Sequence, residues 1–99
     1  MLVRVDREFE GVLFVWRGPA PFHFVAVPEE VCEDLREVAG RVSYGWGMVP
    51  ARVTVGSSTW ETSLYPKDGG YLVPVRDRFR RAEGLGVHEV VRVRLKVAV

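Results

Sequence analysis

The chain has 99 residues, a formal net charge of +1, 47% hydrophobic residues and 27% charged residues. This length allows one domain, and this balance excludes a disordered chain, a strongly basic nucleic-acid-binding arm and an acidic tail. The single cysteine excludes an intramolecular disulfide and a multi-cysteine zinc site, and no apolar run approaches the roughly 20 residues of a membrane span. We therefore expect one cytoplasmic domain with no signal peptide, no membrane contact, no metal and no cofactor.

The first quarter of the chain is typical of β-strands. Twenty valines favour a pleated sheet, and charged and apolar residues alternate up to Glu10, whereas residues 12–16 are apolar on both faces. This pattern predicts a long strand over 2–16, or two strands that meet at Gly11 and enter a closed core. A turn is predicted at 18–21, followed by a second apolar strand over 22–27.

A helix is predicted directly after this strand. Pro28 is suited to a first helical turn, and the acidic residues that follow favour the positive end of the helix dipole. Apolar residues then recur at helical spacing, which predicts one buried stripe; they are Val31, Leu35, Val38 and Ala39. Gly40 is the predicted end of the helix.

The second half of the chain predicts more strands and one short helix. The predicted elements are a loop over 41–50, a hairpin of 51–55 and 59–64, a turn at 66–70, a short strand over 71–73 that ends at Pro74, a helix marked by Val75, Phe79, Ala82 and Leu85, and a last strand over 89–97.

Two stretches of the chain repeat the order apolar strand, Val-Pro, helix, glycine, strand. Val27 and Val73 are offset by 46 positions, as are the prolines that follow them and Gly40 and Gly86. The apolar stripes of the two helices match only at an offset of 44. Two copies are too few for a solenoid, so we expect a closed body with pseudo-twofold symmetry, with coincidence as the alternative.

The most specific motif of the chain is Trp60-Glu61-Thr62-Ser63-Leu64-Tyr65-Pro66, and further distinctive stretches are 24–28, 52–56, 69–75 and 80–86. Together these motifs resemble the family called domain of unknown function 1905. The resemblance covers about residues 8 to 97. It implies a mainly β fold, a small and partly closed double-split β-barrel with two short helices, similar to the body of AbrB-like transcription factors. The family has no established catalytic residues, so none is carried over.

The residues that most often carry chemistry form no readable catalytic set. His23 lies between two phenylalanines of a strand, and His88 lies at a turn. Cys32 has acidic neighbours, which raise the pKa of a thiol and oppose its use as a nucleophile. We therefore predict no catalytic residue and no metal ligand, and an unrecognised enzyme is the last of the functional alternatives.

Four arginines lie together on the second predicted helix: Arg76, Arg78, Arg80 and Arg81. Residues 76–99 contain seven basic and three acidic residues, a net charge of +4, whereas residues 1–75 contain seven and ten, a net charge of −3. One interpretation is a solvated helix face. The other is contact with phosphates, which suits the planar guanidinium group.

Taken together, these patterns predict a non-catalytic binding module. Its first hypothetical partner is a nucleic acid or a protein bound by the arginine-bearing side. The alternative is a small molecule held between aromatic side chains and a histidine around an opening in the barrel; these are His23, Tyr44, Trp46, Trp60 and Tyr65. We expect a monomer or a homodimer, the dimer forming through exposed strand edges.

Overall fold

A computed structural model describes residues 3–17 and 22–98, so the turn predicted at 18–21 lies outside the described residues. The elements in this part of the chain are β1 (Val3–Trp16), β2 (Phe22–Ala26), α1 (Glu29–Val42), β3 (Val49–Val55), β4 (Ser58–Lys67), β5 (Gly70–Val75), α2 (Asp77–Ala82) and β6 (Val90–Ala98). The mainly β fold with two short helices is thus confirmed.

The strands form a closed barrel in the order β1-β2-β5-β4-β3-β6, with every neighbouring pair antiparallel. The barrel is closed rather than partly closed, because β6 pairs with both β3 and β1. Closure leaves no free edge among the described strands. The described strands therefore do not offer the exposed edges through which a dimer was expected, and the choice between a monomer and a homodimer stays a prediction.

The two longest strands each belong to two sheets. In β1, residues 3–12 pair with β6 and residues 13–16 pair with β2. In β4, residues 58–64 pair with β3 and residues 65–67 pair with β5. One sheet therefore contains β2 and β5 between the C-terminal parts of β1 and β4, and the other contains β3 and β6 between their N-terminal parts. We call these the β2–β5 sheet and the β3–β6 sheet.

The strand order of the barrel stays the same when the two halves of the chain, β1–β3 and β4–β6, are exchanged. Replacing β1, β2 and β3 by β4, β5 and β6 reproduces the same circular strand order, which supports the repeat expected from the sequence. Because β2 and β5 are antiparallel and a helix follows each of them, α1 and α2 cover opposite ends of the barrel.

The core consists of apolar side chains from every strand and from α1, and no buried residue in the described part of the chain is polar or charged. Alternation with a period of two places these side chains inside and charged ones outside. Fully enclosed side chains include Leu13, Val25, Leu35, Val53, Leu64, Val73, Val93 and Leu95.

The helices differ from the predicted ones at their ends. The first helix continues through Gly40 to Val42, and it buries the predicted stripe together with Cys32. The second helix begins only at Asp77, because Pro74 and Val75 still pair with β2. No residue of α2 is buried. Within the described ranges, neither helix has the length and apolar character needed to cross a membrane.

Candidate functional site

Aromatic side chains cover the outside of the β2–β5 sheet. Even-numbered residues of β1 and β2 point outward, because Leu13 and Val25 of the same strands are enclosed in the core. The pairing of Trp16 with Phe22 and of Phe14 with Phe24 brings these rings together. The ring centroids of Phe14 and Phe24 are 6.0 Å apart, a separation typical of interacting aromatic pairs.

A groove of about 420 Å³ lies on this sheet. It is lined by Trp16, Phe22, Phe24, Tyr65, Pro66, Lys67 and Leu72, and we call it the aromatic groove. Tyr65 and Phe24 are in contact, with ring centroids 5.5 Å apart. The Nζ atom of Lys67 lies 4.1 Å from the centroid of the Trp16 ring and is the one charged group among the lining residues. The groove is therefore apolar, with a single cation at its wall.

The exposed apolar surface extends beyond the groove. Val12 and Val90 are exposed, pair directly with each other and continue the outward row of β1. Five of the seven large hydrophobic residues that are exposed in the described part of the chain lie on the β2–β5 sheet or on the loop beside it, and Val12 and Val90 lie where the β3–β6 sheet meets it. We call all seven the aromatic face: Val12, Trp16, Phe22, Tyr44, Trp46, Tyr65 and Val90. Large exposed apolar patches commonly mark interaction sites in proteins.

The loop between α1 and β3 adjoins the groove. The hydroxyl groups of Tyr44 and Ser63 are hydrogen-bonded, and Tyr44 also forms a backbone bridge with Met48. A Cβ atom built on Gly47 would lie 3.4 Å from Cγ of Pro66, which lines the groove. Trp46, at the tip of the loop, is 93% exposed. The base of the loop is thus fixed beside the groove while the indole projects from it.

The five residues predicted to ring one opening do not lie together. Tyr65 lines the groove, and Tyr44 and Trp46 lie on the adjoining loop. Trp60 is only 6% exposed and stacks on Phe79 at 4.5 Å, because β4 turns Trp60 inward and Tyr65 outward. His23 also points away from the groove, with its Nδ1 atom 3.5 Å from a carboxylate oxygen of α2.

Sequence reasoning missed most of the groove. Trp16, Phe22, Phe24 and Leu72 are in segments that are apolar on both faces, and such segments were expected to be enclosed on both sides. In the structure the outward side chains of these segments stay partly exposed, apart from Phe24, which is 5% exposed. The signal was the residue type: Phe14, Trp16, Phe22 and Phe24 occupy outward positions at the ends of β1 and β2 that pair, whereas most inward positions of the barrel are valine or leucine.

The four predicted arginines lie on or next to α2, but they differ in their surroundings. Arg76, Arg78 and Arg81 are exposed. Asp77 accepts a hydrogen bond from Arg80 at 3.4 Å and lies 4.0 Å from Arg81. The helix therefore presents a modest positive charge with one carboxylate, Asp77, at its first position.

The structure brings no set of catalytic groups together in the described residues. Burial raises the pKa of the Cys32 thiol, with a smaller contribution from Glu29, and Sγ donates a hydrogen bond to the carbonyl oxygen of Val27. This environment stabilises the neutral thiol rather than the nucleophilic thiolate. No group of three or more histidine, cysteine or carboxylate side chains in this part of the chain is arranged to hold a metal ion.

The outside of the β3–β6 sheet is polar, in contrast to the aromatic face. Arg92 donates to Glu8 at 2.8 Å, and Arg94 donates to both carboxylate oxygens of Asp6 at 3.1 Å. The hydrogen bond from Arg94 lowers the pKa of Asp6, and the same bond raises the pKa of Arg94. Arg52, Arg92 and Arg94 of this sheet are therefore already paired within the chain.

Comparison with known proteins identifies the family. The family model of the domain of unknown function 1905 (DUF1905) matches residues 9–95. This match spans most of the chain, so the chain belongs to that family. No curated protein matches the sequence.

Proposed function

We propose that this chain, a member of the DUF1905 family, is a non-catalytic binding domain that holds an apolar segment of a partner protein on its aromatic face. The observation that carries this proposal is the concentration of exposed aromatic rings around one groove. A chain of this size gains nothing in solubility or stability from leaving these rings in water. A surface that binds an apolar partner requires them.

The extent of the face favours a protein over a small molecule. It crosses five neighbouring strands, from β6 through β1, β2 and β5 to β4, which is about 19 Å at roughly 4.8 Å per strand. From their exposed fractions, and from the about 150–250 Å² of an aromatic side chain, the residues of the aromatic face expose roughly 700 Å². Each partner contributes about 800 Å² to a standard protein interface.

The mode of binding follows from barrel closure. A partner has no free strand edge to extend in the described part of the barrel, so β-strand addition is not available there. Recognition has to use side chains that enter the groove. Aromatic and proline side chains fit its walls, and an acidic or carbonyl group on the partner fits Lys67 at the edge.

A displayed peptide library tests the proposal. The folded chain selects peptides, and these are counter-screened against the double variant Trp16→Ala, Tyr65→Ala, whose two changed side chains are both about half exposed. The control variant is Arg52→Ala, on the outside of the β3–β6 sheet. We expect aromatic-containing peptides that bind the wild type and the control alike and lose at least tenfold in affinity for the double variant. Failure to enrich any peptide, or peptides that bind all three proteins equally, would refute the proposal.

A small molecule remains the second candidate, because the volume of about 420 Å³ lies within the range of ligand pockets. The chemistry of the groove then indicates a planar ring with a carboxylate that pairs with Lys67. A thermal-shift screen with aromatic carboxylates checks this idea, since a ligand of the native state raises the midpoint. A shift that persists in Lys67→Ala would argue against the predicted orientation.

Nucleic-acid binding by α2 is the third candidate. It is supported by the exposed side chains of Arg76, Arg78 and Arg81 and by the proposed relation of this barrel to the AbrB-like double-split barrels. Fold analogy alone carries little weight for function. Filter binding of duplex DNA at about 50 mM salt tests it, because low salt strengthens phosphate contacts. No retention there, or retention unchanged when the three arginines become alanine, would exclude this candidate.

A further inference from the structure

We infer that the partner is a second copy of this chain: two aromatic faces pair about a twofold axis, and Trp46 of each copy enters the aromatic groove of the other. This inference rests on the proposed function, because it names the occupant of the same surface.

The first reason is the arrangement of a projecting side chain next to a groove. A twofold contact uses the same patch on both copies, so the patch must contain both the inserted group and its receptor. Trp46 projects from a loop held at its base by the Tyr44–Ser63 hydrogen bond, and a Cβ atom built on Gly47 would lie 3.4 Å from Cγ of the groove residue Pro66. The projecting indole and the groove are therefore neighbours on one surface.

The second reason is the composition of the face. Lys67 is the one charged residue that lines the groove, and it already lies over the Trp16 ring. Two such grooves therefore bring no carboxylate of their lining into the apolar contact, and Lys67 keeps its contact with the Trp16 ring. Interfaces between copies of one chain are more apolar than those of transient complexes and are enriched in tryptophan, tyrosine and phenylalanine.

The third reason is that the other surfaces of the barrel are less suited to pairing. The described strands leave no edge for strand-to-strand association. The outside of the β3–β6 sheet carries charged side chains, most of them in internal ion pairs such as Arg92–Glu8 and Arg94–Asp6, and burying them would cost desolvation. An exposed area of roughly 700 Å² on the aromatic face is close to the about 800 Å² per copy that a standard interface buries.

Sedimentation velocity over about 1 to 100 μM chain tests the inference, a range that spans micromolar dissociation constants. We expect a concentration-dependent dimer of the wild type. Trp46→Ala removes a side chain that is 93% exposed and contributes nothing to the core, so folding is retained and circular dichroism checks it. We expect this variant to weaken the dimer at least tenfold, as a central aromatic anchor does, while Arg52→Ala leaves it unchanged.

Each outcome decides the question. A wild type that is monomeric over the whole range overturns the inference, and so does a dimer that Trp46→Ala leaves intact. A dimer that Arg52→Ala weakens and Trp46→Ala does not would place the contact on the β3–β6 sheet. If the chain is monomeric and the selected peptides still bind, the proposed function stands without self-association. If the chain is monomeric and no peptide binds, both are refuted.

Discussion

Replacing Gly11 by alanine tests whether β1 passes from one sheet to the other at the close approach seen in the structure. The backbone of Gly11 does not have a positive φ, so an alanine there is not strained by its own conformation. The obstacle is space: the new Cβ would lie 2.5 Å from Cγ1 of Val25 and 2.9 Å from the carbonyl oxygen of Ala26. Val25 is fully buried and the second contact is backbone, so neither can swing into solvent.

The magnitude follows from two opposing effects. Overpacking a core in this way lowers the free energy of unfolding by about 1–3 kcal/mol. Alanine also raises the free energy of unfolding by about 0.4–1 kcal/mol, because it restricts the unfolded chain more than glycine does. We therefore expect a net loss of about 1–2 kcal/mol, which lowers the melting temperature by roughly 5–15 °C in a domain of this size.

Urea unfolding followed by circular dichroism measures the effect. The matched control is Gly40→Ala, a glycine within α1 where a Cβ would meet nothing within 4 Å. We expect the control to gain about 0.5–1 kcal/mol from helix propensity. In the double variant Gly11→Ala, Val25→Ala, the closer clash is absent, so its loss should be smaller than the sum of the two single losses. A Gly11→Ala protein as stable as the control would refute the described path of β1.

Three further predictions concern stability. Burial raises the pKa of the Cys32 thiol, so the thiol stabilises the folded state fully below about pH 9, and this stabilisation is lost as the pH rises further. In urea unfolding at alkaline pH, Cys32→Ala should therefore lose less stability than the wild type. An equal loss of stability in both proteins would contradict the buried thiol. The Arg94 hydrogen bond lowers the pKa of Asp6, so the stability of the fold falls as acid protonates this carboxylate. Between pH 5 and pH 3, the melting temperature of Asp6→Asn should therefore fall less than that of the wild type. Phe79→Ala should lower the free energy of unfolding in urea by about 2 kcal/mol, because Trp60 loses its stacked ring. A decrease below about 0.5 kcal/mol would show that the packing of α2 does not depend on this contact.

Much of the fold could be predicted from local patterns. The alternation of apolar and polar residues in strands, and the residues that begin and end helices, are properties of short segments. The hairpin of β3 and β4 and the buried stripe of α1 follow from such patterns. The late start of α2 could not be predicted in this way, since a proline after an apolar strand is typical of a strand end. Pro74 stays in the extended strand because it pairs with Phe24 of β2, a residue 50 positions away in the chain.

The candidate site was less predictable, because it depends on which outward residues the barrel brings together. Tyr65 and Trp60 were both predicted to line one opening, but Trp60 is in the core. Period-two alternation separates them, and only the register of the whole strand determines which one faces water. Trp16 of β1 and Lys67 of β4 are far apart in the chain and meet across β2 and β5. No local pattern indicates that contact.

The exchange of halves in the barrel has a consequence for how the chain folds. Of the strand ladders in the closed barrel, only β1–β2 and β4–β5 join strands of the same half, and the others cross between halves. Neither half encloses a core of its own, so a partly folded intermediate with one half formed gains little stabilisation from burial. We therefore expect the unfolding transition to be all-or-none. The ladder between β1 and β6 joins residues about 80 to 95 positions apart, as in Glu8 and Arg94. Such distant closure predicts refolding on the slow side for a domain of this length, in milliseconds to seconds.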